Sequence, residues 1–407
     1  MDPLRHVKPA VRDLAAYTVA LPRAPVKINQ NENPRDLPEA AKRRVVGRAL
    51  ARPWSRYPDL EPKELLEALA RHSGWRADGI LLGNGSNETI EALLRVTVGP
   101  GTKVVISEPT FTLYALLTTI LGGESVRVPM LSRGAPIASG LSFRGAAVVS
   151  PDEESAVASA DPSGPGRRRS LRMTFAYDVD ALLAARRAWG APVTIVCSPN
   201  NPTGTSLDLY DVERLCGDGD GLVVIDEAYH EFSARTVVPL LERYPNLIVL
   251  RTFSKAMALA GLRVGYLLAS PELVREIDKA RLPYNLNFFS QAAALAALEE
   301  KDALAVSVHR LVAERERLLA RLADVPGVSA YSSDTNFFLV ECLSADPKAV
   351  FSSMLRRGVL VRDVTSYPRL ERCLRVTVGT PEENDAFLHA LGTALTEAGM
   401  DLTTRRA

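Results

Sequence analysis

The chain has 407 residues, of which 46% are hydrophobic and 24% charged, with 49 Lys and Arg against 48 Asp and Glu. That length is more than one hydrophobic core usually serves, so a large domain with a smaller companion is expected. The balanced charge argues against attraction to nucleic-acid phosphates or anionic lipid, each of which needs a one-signed excess, and leaves a small-molecule substrate as the expectation.

The four cysteines, Cys197, Cys216, Cys342 and Cys373, lie far apart and form neither a CxxC pair nor a cluster with histidine. They are expected as buried, reduced thiols rather than metal ligands. Residues 1–8 lack an apolar core followed by a small-residue cleavage site, and no apolar run reaches the roughly 18 residues that a membrane span needs. A cytoplasmic protein is expected.

In chain order, the first chemical signal is Gly83-Asn84-Gly85-Ser86-Asn87-Glu88, a glycine-rich turn running into a helical pattern at 89–96. Such a turn aims backbone N–H groups at an anion. From 103 to 268, short apolar runs at 104–106, 126–128, 193–197, 222–225, 247–250 and 264–268 alternate with amphipathic stretches. This is the rhythm of parallel strands joined by crossover helices, so the fold class is α/β, with a sheet covered on both faces. Ligands of such sheets bind at the carboxyl ends of the strands. The stretch 131–170 breaks the rhythm: it is rich in Ala, Ser, Gly and Pro and ends near Arg167-Arg168-Arg169. A disordered surface insertion is expected there, because such sequence buries too little apolar area to offset its ordering entropy. After Pro283 a long helical stretch at 290–322 is expected to bridge to a small α+β domain, with strands at 336–340, 359–361 and 374–378 and helices at 349–356 and 382–396.

The strongest constellation is Val223-Val224-Ile225-Asp226-Glu227-Ala228-Tyr229, followed by Arg251-Thr252-Phe253-Ser254-Lys255 and Gly261-Leu262-Arg263-Val264-Gly265. Pyridoxal phosphate needs a lysine for its imine, a carboxylate on the pyridine nitrogen, a donor to the phenolate oxygen and an anion site. Asp226, directly after an apolar run, would emerge at the sheet's carboxyl edge and hold the pyridinium proton. Tyr229 would reach the phenolate oxygen. Lys255 would form the imine and, once displaced, shuttle a proton between the substrate's Cα and the cofactor. Ser254 and Arg263 offer a hydroxyl and a fixed cation for a phosphate, joined by Ser86 and Asn87 of the glycine-rich turn.

Asn201 lies in Ser198-Pro199-Asn200-Asn201-Pro202-Thr203-Gly204, a loop stiffened by its prolines, and its amide could bond the ring oxygen; a plain turn would use the same residue types. Phe111, in Glu108-Pro109-Thr110-Phe111, is a candidate to stack on the ring, although a lone aromatic also serves a core.

Together these residues resemble the class II branch of the fold type I aminotransferases, most closely the histidinol-phosphate aminotransferase family. The resemblance rests further on Asn29-Gln30-Asn31-Glu32-Asn33-Pro34, Arg56-Tyr57-Pro58-Asp59, Pro283-Tyr284-Asn285 and the run at 374–379, and covers nearly the whole chain apart from the insertion. It implies an aspartate-aminotransferase-like fold with a mainly parallel seven-stranded sheet. Residues 1–47 would form an arm and part of the small domain, 48–285 the large domain and 286–407 the small one. It also implies a homodimer whose active sites are shared. Tyr57 matches a tyrosine that reaches the neighbouring cofactor's phosphate, and Tyr17 one placed near the partner's substrate. Arg362 and Arg375 match arginines that hold the substrate's anionic end. Asn87 departs from the family, which more often has aspartate there; little consequence is expected, because backbone amides bind the phosphate.

The resemblance implies reversible transamination between L-histidinol phosphate and 2-oxoglutarate, giving imidazole acetol phosphate and glutamate. An aromatic or other amino-acid aminotransferase and a phosphothreonine-type decarboxylase would keep Asp226 and Lys255 as well. What separates them is whether Arg362, Arg375 and Tyr17 surround an alkyl phosphate or an α-carboxylate. A non-catalytic regulator built on this fold would need a separate DNA-binding domain, for which about thirty residues before the first motif leave little room.

Overall fold

A computed structural model of the chain describes residues 3–14, 22–133 and 173–399. Its larger sheet has seven strands: β1 (Ile80–Gly83), β2 (Lys103–Glu108), β3 (Glu124–Pro129), β4 (Val193–Cys197), β5 (Leu222–Asp226), β6 (Leu247–Thr252) and β7 (Gly265–Leu268). Their spatial order is β1-β7-β6-β5-β4-β2-β3. The pairs from β6 across to β3 are parallel, whereas β7 runs antiparallel to both β1 and β6. The central strands are buried along their whole length, as a sheet covered by helices on both faces requires.

The apolar runs anticipated six of these strands; β1 was not among them. Its four residues, all buried, show no alternation, and so short an apolar run cannot be told from a piece of buried helix. The expected insertion starts too early by three residues. Leu131–Arg133 forms a strand that pairs antiparallel with Thr174–Ala176, and this second strand is anchored by Phe175, buried and stacked on Tyr331 at 5.4 Å. Three residues are too few for a period to be seen. The remainder of 131–170 lies outside the described residues.

The long helix is also corrected. It breaks at Glu300 (φ −94°, ψ 13°) into Phe288–Glu299 and Lys301–Leu322. Both pieces have helix-forming composition, so propensity shows no break; the two pack in different places. Phe288–Glu299 lies against the helices Glu39–Leu50 and Lys63–Ser73. Lys301–Leu322 carries Val308, Leu311, Leu318, Leu319 and Leu322 into the core of the smaller sheet.

That smaller sheet is antiparallel, in the order Val328–Ala330, Phe337–Cys342, Cys373–Thr377, Arg362–Asp363. The chain's beginning joins it: Val26–Lys27 pairs in parallel with Val359–Leu360, and Thr377 N donates to Ile28 O at 3.0 Å. Residues 29–33 therefore leave the small sheet directly over the carboxyl edge of the large one. The final helix, Pro381–Glu397, begins with a Thr380/Glu383 capping box, which satisfies two amides that the helix itself cannot. The four cysteines are buried and unpaired. Among the described residues no helix is long and apolar enough to cross a membrane.

Candidate active site

Four chain segments meet at one edge of the large sheet: the end of β5 at Asp226, the end of β6 at Thr252, the start of β7 at Gly265 and the turn after β1 at Gly83. The register places them together, with Gly265 opposite both Thr252 and Gly83. A cleft of about 250 Å³ opens there, and it gathers Ser86, Asn87, Phe111, Asn201, Asp226, Tyr229, Ser254, Lys255, Arg263, Arg362 and Arg375. Two residues singled out from the sequence are not in it. Tyr57 is 76% exposed and stacked on Tyr284 at 4.6 Å, and Tyr17 lies outside the described residues.

One end of the cleft is a cradle for an anion. Gly85 caps the helix Ser86–Thr97 with φ 79°, and a Cβ there would run into the Arg263 guanidinium. A Cβ on Gly265 would stand 2.5 Å from the Gly85 carbonyl carbon and closer still to Ser86 N. Glycine at both places lets β7 and Arg263 close up beneath the start of the helix. Arg263 Nη1 donates to Ser254 Oγ at 3.0 Å. The first amides of a helix have no preceding carbonyl to bond and sit at the positive end of its dipole, so cation, hydroxyl and amides converge on one point.

At the other end Asp226 is buried. Its Oδ1 accepts from Ala228 N at 3.0 Å and its Oδ2 from Tyr114 Oη at 2.6 Å. Burial pushes its pKa up to about 6, against the opposing pull of those two donors; a buried carboxylate of this kind is completed by a cation in front of it. Behind it, Arg251 Nε and Nη2 reach Glu227 Oε2 at 3.0 and 2.9 Å, and Val237 N donates to Oε1 at 2.6 Å. This buried ion pair ties the carboxyl ends of β5 and β6 together. Separating its partners would strand a charge, so the geometry around Asp226 is stiff.

Lys255 lies between the two ends. Its Nζ donates to Gln30 O at 2.9 Å. Burial, together with Arg375 and Arg263, lowers its pKa to about 7 against the opposing effect of Glu32. An amine so placed has a substantial neutral fraction near neutrality, as a nucleophile or base must have. Tyr229 Oη accepts from Asn31 Nδ2 at 2.9 Å, and its ring packs edge-on against Phe337.

Above this floor stand the arginines. Arg375 Nη2 donates to Asn29 O at 2.9 Å, Nη1 donates to Asn201 Oδ1, and the guanidinium lies over the Phe337 ring. Arg362 is opposite Arg375 on the adjacent strand and has no carboxylate partner among the described residues. Like charges directly across a strand pair are unfavourable on their own, so the pair is suited to an anion between them.

Reading from the sequence missed six contributors to the cleft. Tyr114 is in the first turn of the helix Leu113–Ile120, three residues after Phe111, which precedes that helix; the spacing could have drawn notice. Asn29, Gln30 and Asn31 stood in a quoted motif but carried no role. Tyr367 and Cys197, which is paired in register with Asp226, gave no sequence signal.

The donor set fits pyridoxal phosphate: a low-pKa amine, a buried carboxylate wanting a cation, two polar groups near an oxygen position and a built anion cradle. Among the described residues no group of His, Cys, Asp and Glu could hold a metal. Comparison with known proteins agrees with the geometry. The family model for aminotransferase class I and II matches residues 23–135 and 166–391. The histidinol-phosphate aminotransferase of Chlorobium phaeovibrioides is 36% identical over 392 residues, covering 96% of this chain and 97% of that one. That of Chlorobaculum tepidum is 37% identical over 387 residues, covering 95% and 99%. The crystal structure of the Sinorhizobium meliloti histidinol-phosphate aminotransferase with pyridoxal-5′-phosphate superposes with a TM-score of 0.77 at 26% identity, covering 96% of this chain and 98% of that one. The chain belongs to the class I and II aminotransferases, pyridoxal-phosphate enzymes, and within them to the histidinol-phosphate aminotransferase family.

Proposed function

We propose that the chain transfers an amino group reversibly between L-histidinol phosphate and 2-oxoglutarate, giving imidazole acetol phosphate and glutamate in histidine biosynthesis. The observation that carries the substrate is Arg362 facing Arg375 across two strands at the mouth of the cleft. A dianionic phosphate satisfies two facing guanidinium groups better than a single carboxylate does.

The cofactor supplies an electron sink and a temporary home for the amino group. In this reading Lys255 holds it, and then, freed as an amine, takes and returns the proton at the substrate's Cα. Asp226 keeps the ring nitrogen protonated. Tyr229 and Asn201 would hold the ring oxygen, Phe111 would cover the ring, and Ser86, Asn87, Ser254 and Arg263 would hold the phosphate. Arg362 and Arg375 orient the substrate.

Tyr17 and Tyr57 would act in the site of a second copy, so the reading includes a homodimer. Supporting it, Tyr57 and Tyr284 are exposed and stacked on each other, and Trp54 and Leu282, close to them in sequence, are exposed as well; exposed apolar side chains gathered in this way mark an interface. The reading keeps 48–285 as the large unit and joins 1–47 to 286–407; the pairing of Val26–Lys27 with Val359–Leu360 supports that join for the strand, while the helices Glu39–Leu50 and Phe288–Glu299 share the core of the large sheet. A cytoplasmic location suits four buried, unpaired cysteines.

The test compares histidinol phosphate, histidinol and phenylalanine as amino donors at equal concentration. Leaving the buried Arg375 and the half-buried Arg362 without their anion costs about 3 kcal/mol, roughly a hundredfold in kcat/KM. Histidinol phosphate should therefore lead by that margin, and Arg362→Ala should erode the lead more than it erodes cofactor binding. If phenylalanine is the best donor and Arg362→Ala leaves the ranking unchanged, the substrate assignment falls.

A further inference from the structure

Residues 29–31 cross the cleft and touch three of its functional groups in succession. Asn29 O accepts from Arg375, Gln30 O accepts from Lys255, and Asn31 Nδ2 donates to Tyr229 Oη. We infer that Asn31 is a positioning residue: by donating to Tyr229 Oη it turns the tyrosine's single hydroxyl proton toward the ring oxygen of the cofactor. The inference rests on the reading of Tyr229 given above.

Asn31 is buried, 1% exposed, with φ 57°, a left-handed conformation that asparagine tolerates better than most residues. Such a backbone persists where the surroundings over-determine it, and here they do. Asn31 N donates to Thr377 Oγ1 at 2.9 Å, Thr377 Oγ1 donates to Asn31 Oδ1 at 3.1 Å, and Asn336 Nδ2 donates to Asn31 O at 3.0 Å. Because the Thr377 hydroxyl accepts the backbone N–H, its own proton goes to Oδ1. That leaves the amide nitrogen facing Tyr229.

A phenol has one proton to give. With Asn31 occupying a lone pair of Oη, that proton is sent to the other side, into the cleft that Tyr229 lines. Burial raises the Tyr229 hydroxyl above its ordinary value, so the proton is present at neutral pH. A donor aimed at the ring oxygen stabilises negative charge there and lowers the proton affinity of the cofactor's linkage to Lys255. An acceptor at position 31 would draw the hydroxyl proton away and reverse the effect.

The experiment is a spectrophotometric pH titration of the bound cofactor in the holoenzyme, for Asn31→Asp, Asn31→Gly, Tyr229→Phe and the double variant Asn31→Asp/Tyr229→Phe. Asn31→Asp should raise the midpoint by about one pH unit or more, approaching the effect of Tyr229→Phe, and should add nothing in the Tyr229→Phe background. Asn31→Gly keeps the positive φ without strain and should give a smaller rise, so it carries the test if Asn31→Asp fails to fold. If both substitutions at Asn31 leave the midpoint in place while Tyr229→Phe raises it, the inference is overturned and the reading of Tyr229 stands. If Tyr229→Phe also changes nothing, the reading of Tyr229 fails first. If Asn31→Asp raises the midpoint equally in the Tyr229→Phe background, the effect is one of charge and the positioning role is refuted.

Discussion

Tyr114→Phe removes one oxygen from a fully buried ring and leaves its edge-on contact with Phe111 at 5.6 Å in place. What is lost is the 2.6 Å bond from Tyr114 Oη to Asp226 Oδ2. A hydrogen bond to a charged group contributes about 1.5–3 kcal/mol, and one pKa unit corresponds to about 1.4 kcal/mol. The donor favours the ionised carboxylate, so its loss raises the Asp226 pKa by roughly one to two units from a value that burial has already pushed up to about 6. In the cofactor-free enzyme Asp226 would then titrate at or above neutrality and be at least half protonated at pH 7. A neutral acid cannot pair with a pyridinium. Cofactor affinity should fall about two- to tenfold at pH 7 and recover as the pH rises past the new value. The assay is titration of cofactor-free enzyme with pyridoxal phosphate at a series of pH values. Equal affinities for wild type and variant would refute the argument, and so would a loss of the same size at every pH, which would signify altered packing rather than altered protonation.

Lys255→Met should abolish transamination and the visible absorbance of the covalently held cofactor. The same substitution should stabilise the cofactor-free enzyme. The folded-state pKa of Lys255 is lowered to about 7 from 10.5, so the unfolded state binds more protons between those values, and the group's unfavourable contribution grows as pH falls from 10.5 to about 7. Wild-type Tm should therefore lose ground to the variant across that window in calorimetry, and a constant Tm difference would contradict the lowered pKa. Gly265→Ala forces a Cβ into the Ser86 and Gly85 backbone; overpacking of this kind costs about 1–3 kcal/mol, and both the unfolding midpoint and cofactor affinity should drop, with an unchanged affinity arguing against the cradle. Replacing residues 134–172 by a short turn should leave cofactor stoichiometry and solubility intact, because Arg133 and Thr174 are already paired across adjacent strands; an insoluble product would assign the segment a structural role.

Much of the architecture is local in origin and was legible in the residues. The runs that became β2 to β7 are short, apolar and bounded by turns, and a parallel sheet buried on both faces requires that pattern. Asp226 could be singled out because it follows directly on such a run, where a polar side chain leaves the sheet, and Lys255 because its Ser-Lys pair lies a few residues beyond the next run. Arg263 and the Gly83–Glu88 turn could be named for the same reason, since glycine beside a helix start has a meaning that depends only on its neighbours. The short β1 and the break at Glu300 were not legible, because four apolar residues carry no period and two helix-forming stretches show no seam.

The tertiary structure alone decided what surrounds those residues. Tyr114 and Asp226 are 112 positions apart, Asn31 and Tyr229 198, and Asn29 and Arg375 346; no local pattern connects such pairs: the helix Leu113–Ile120 against the sheet brings the first together, and the crossing of residues 29–31 over the sheet edge the other two. The protonation states are decided there too. Lys255 and Asp226 carry ordinary side chains whose pKa values move because the folded chain strips their water and sets charges beside them, and that desolvation is a property of the whole enclosure, not of any one neighbour in sequence.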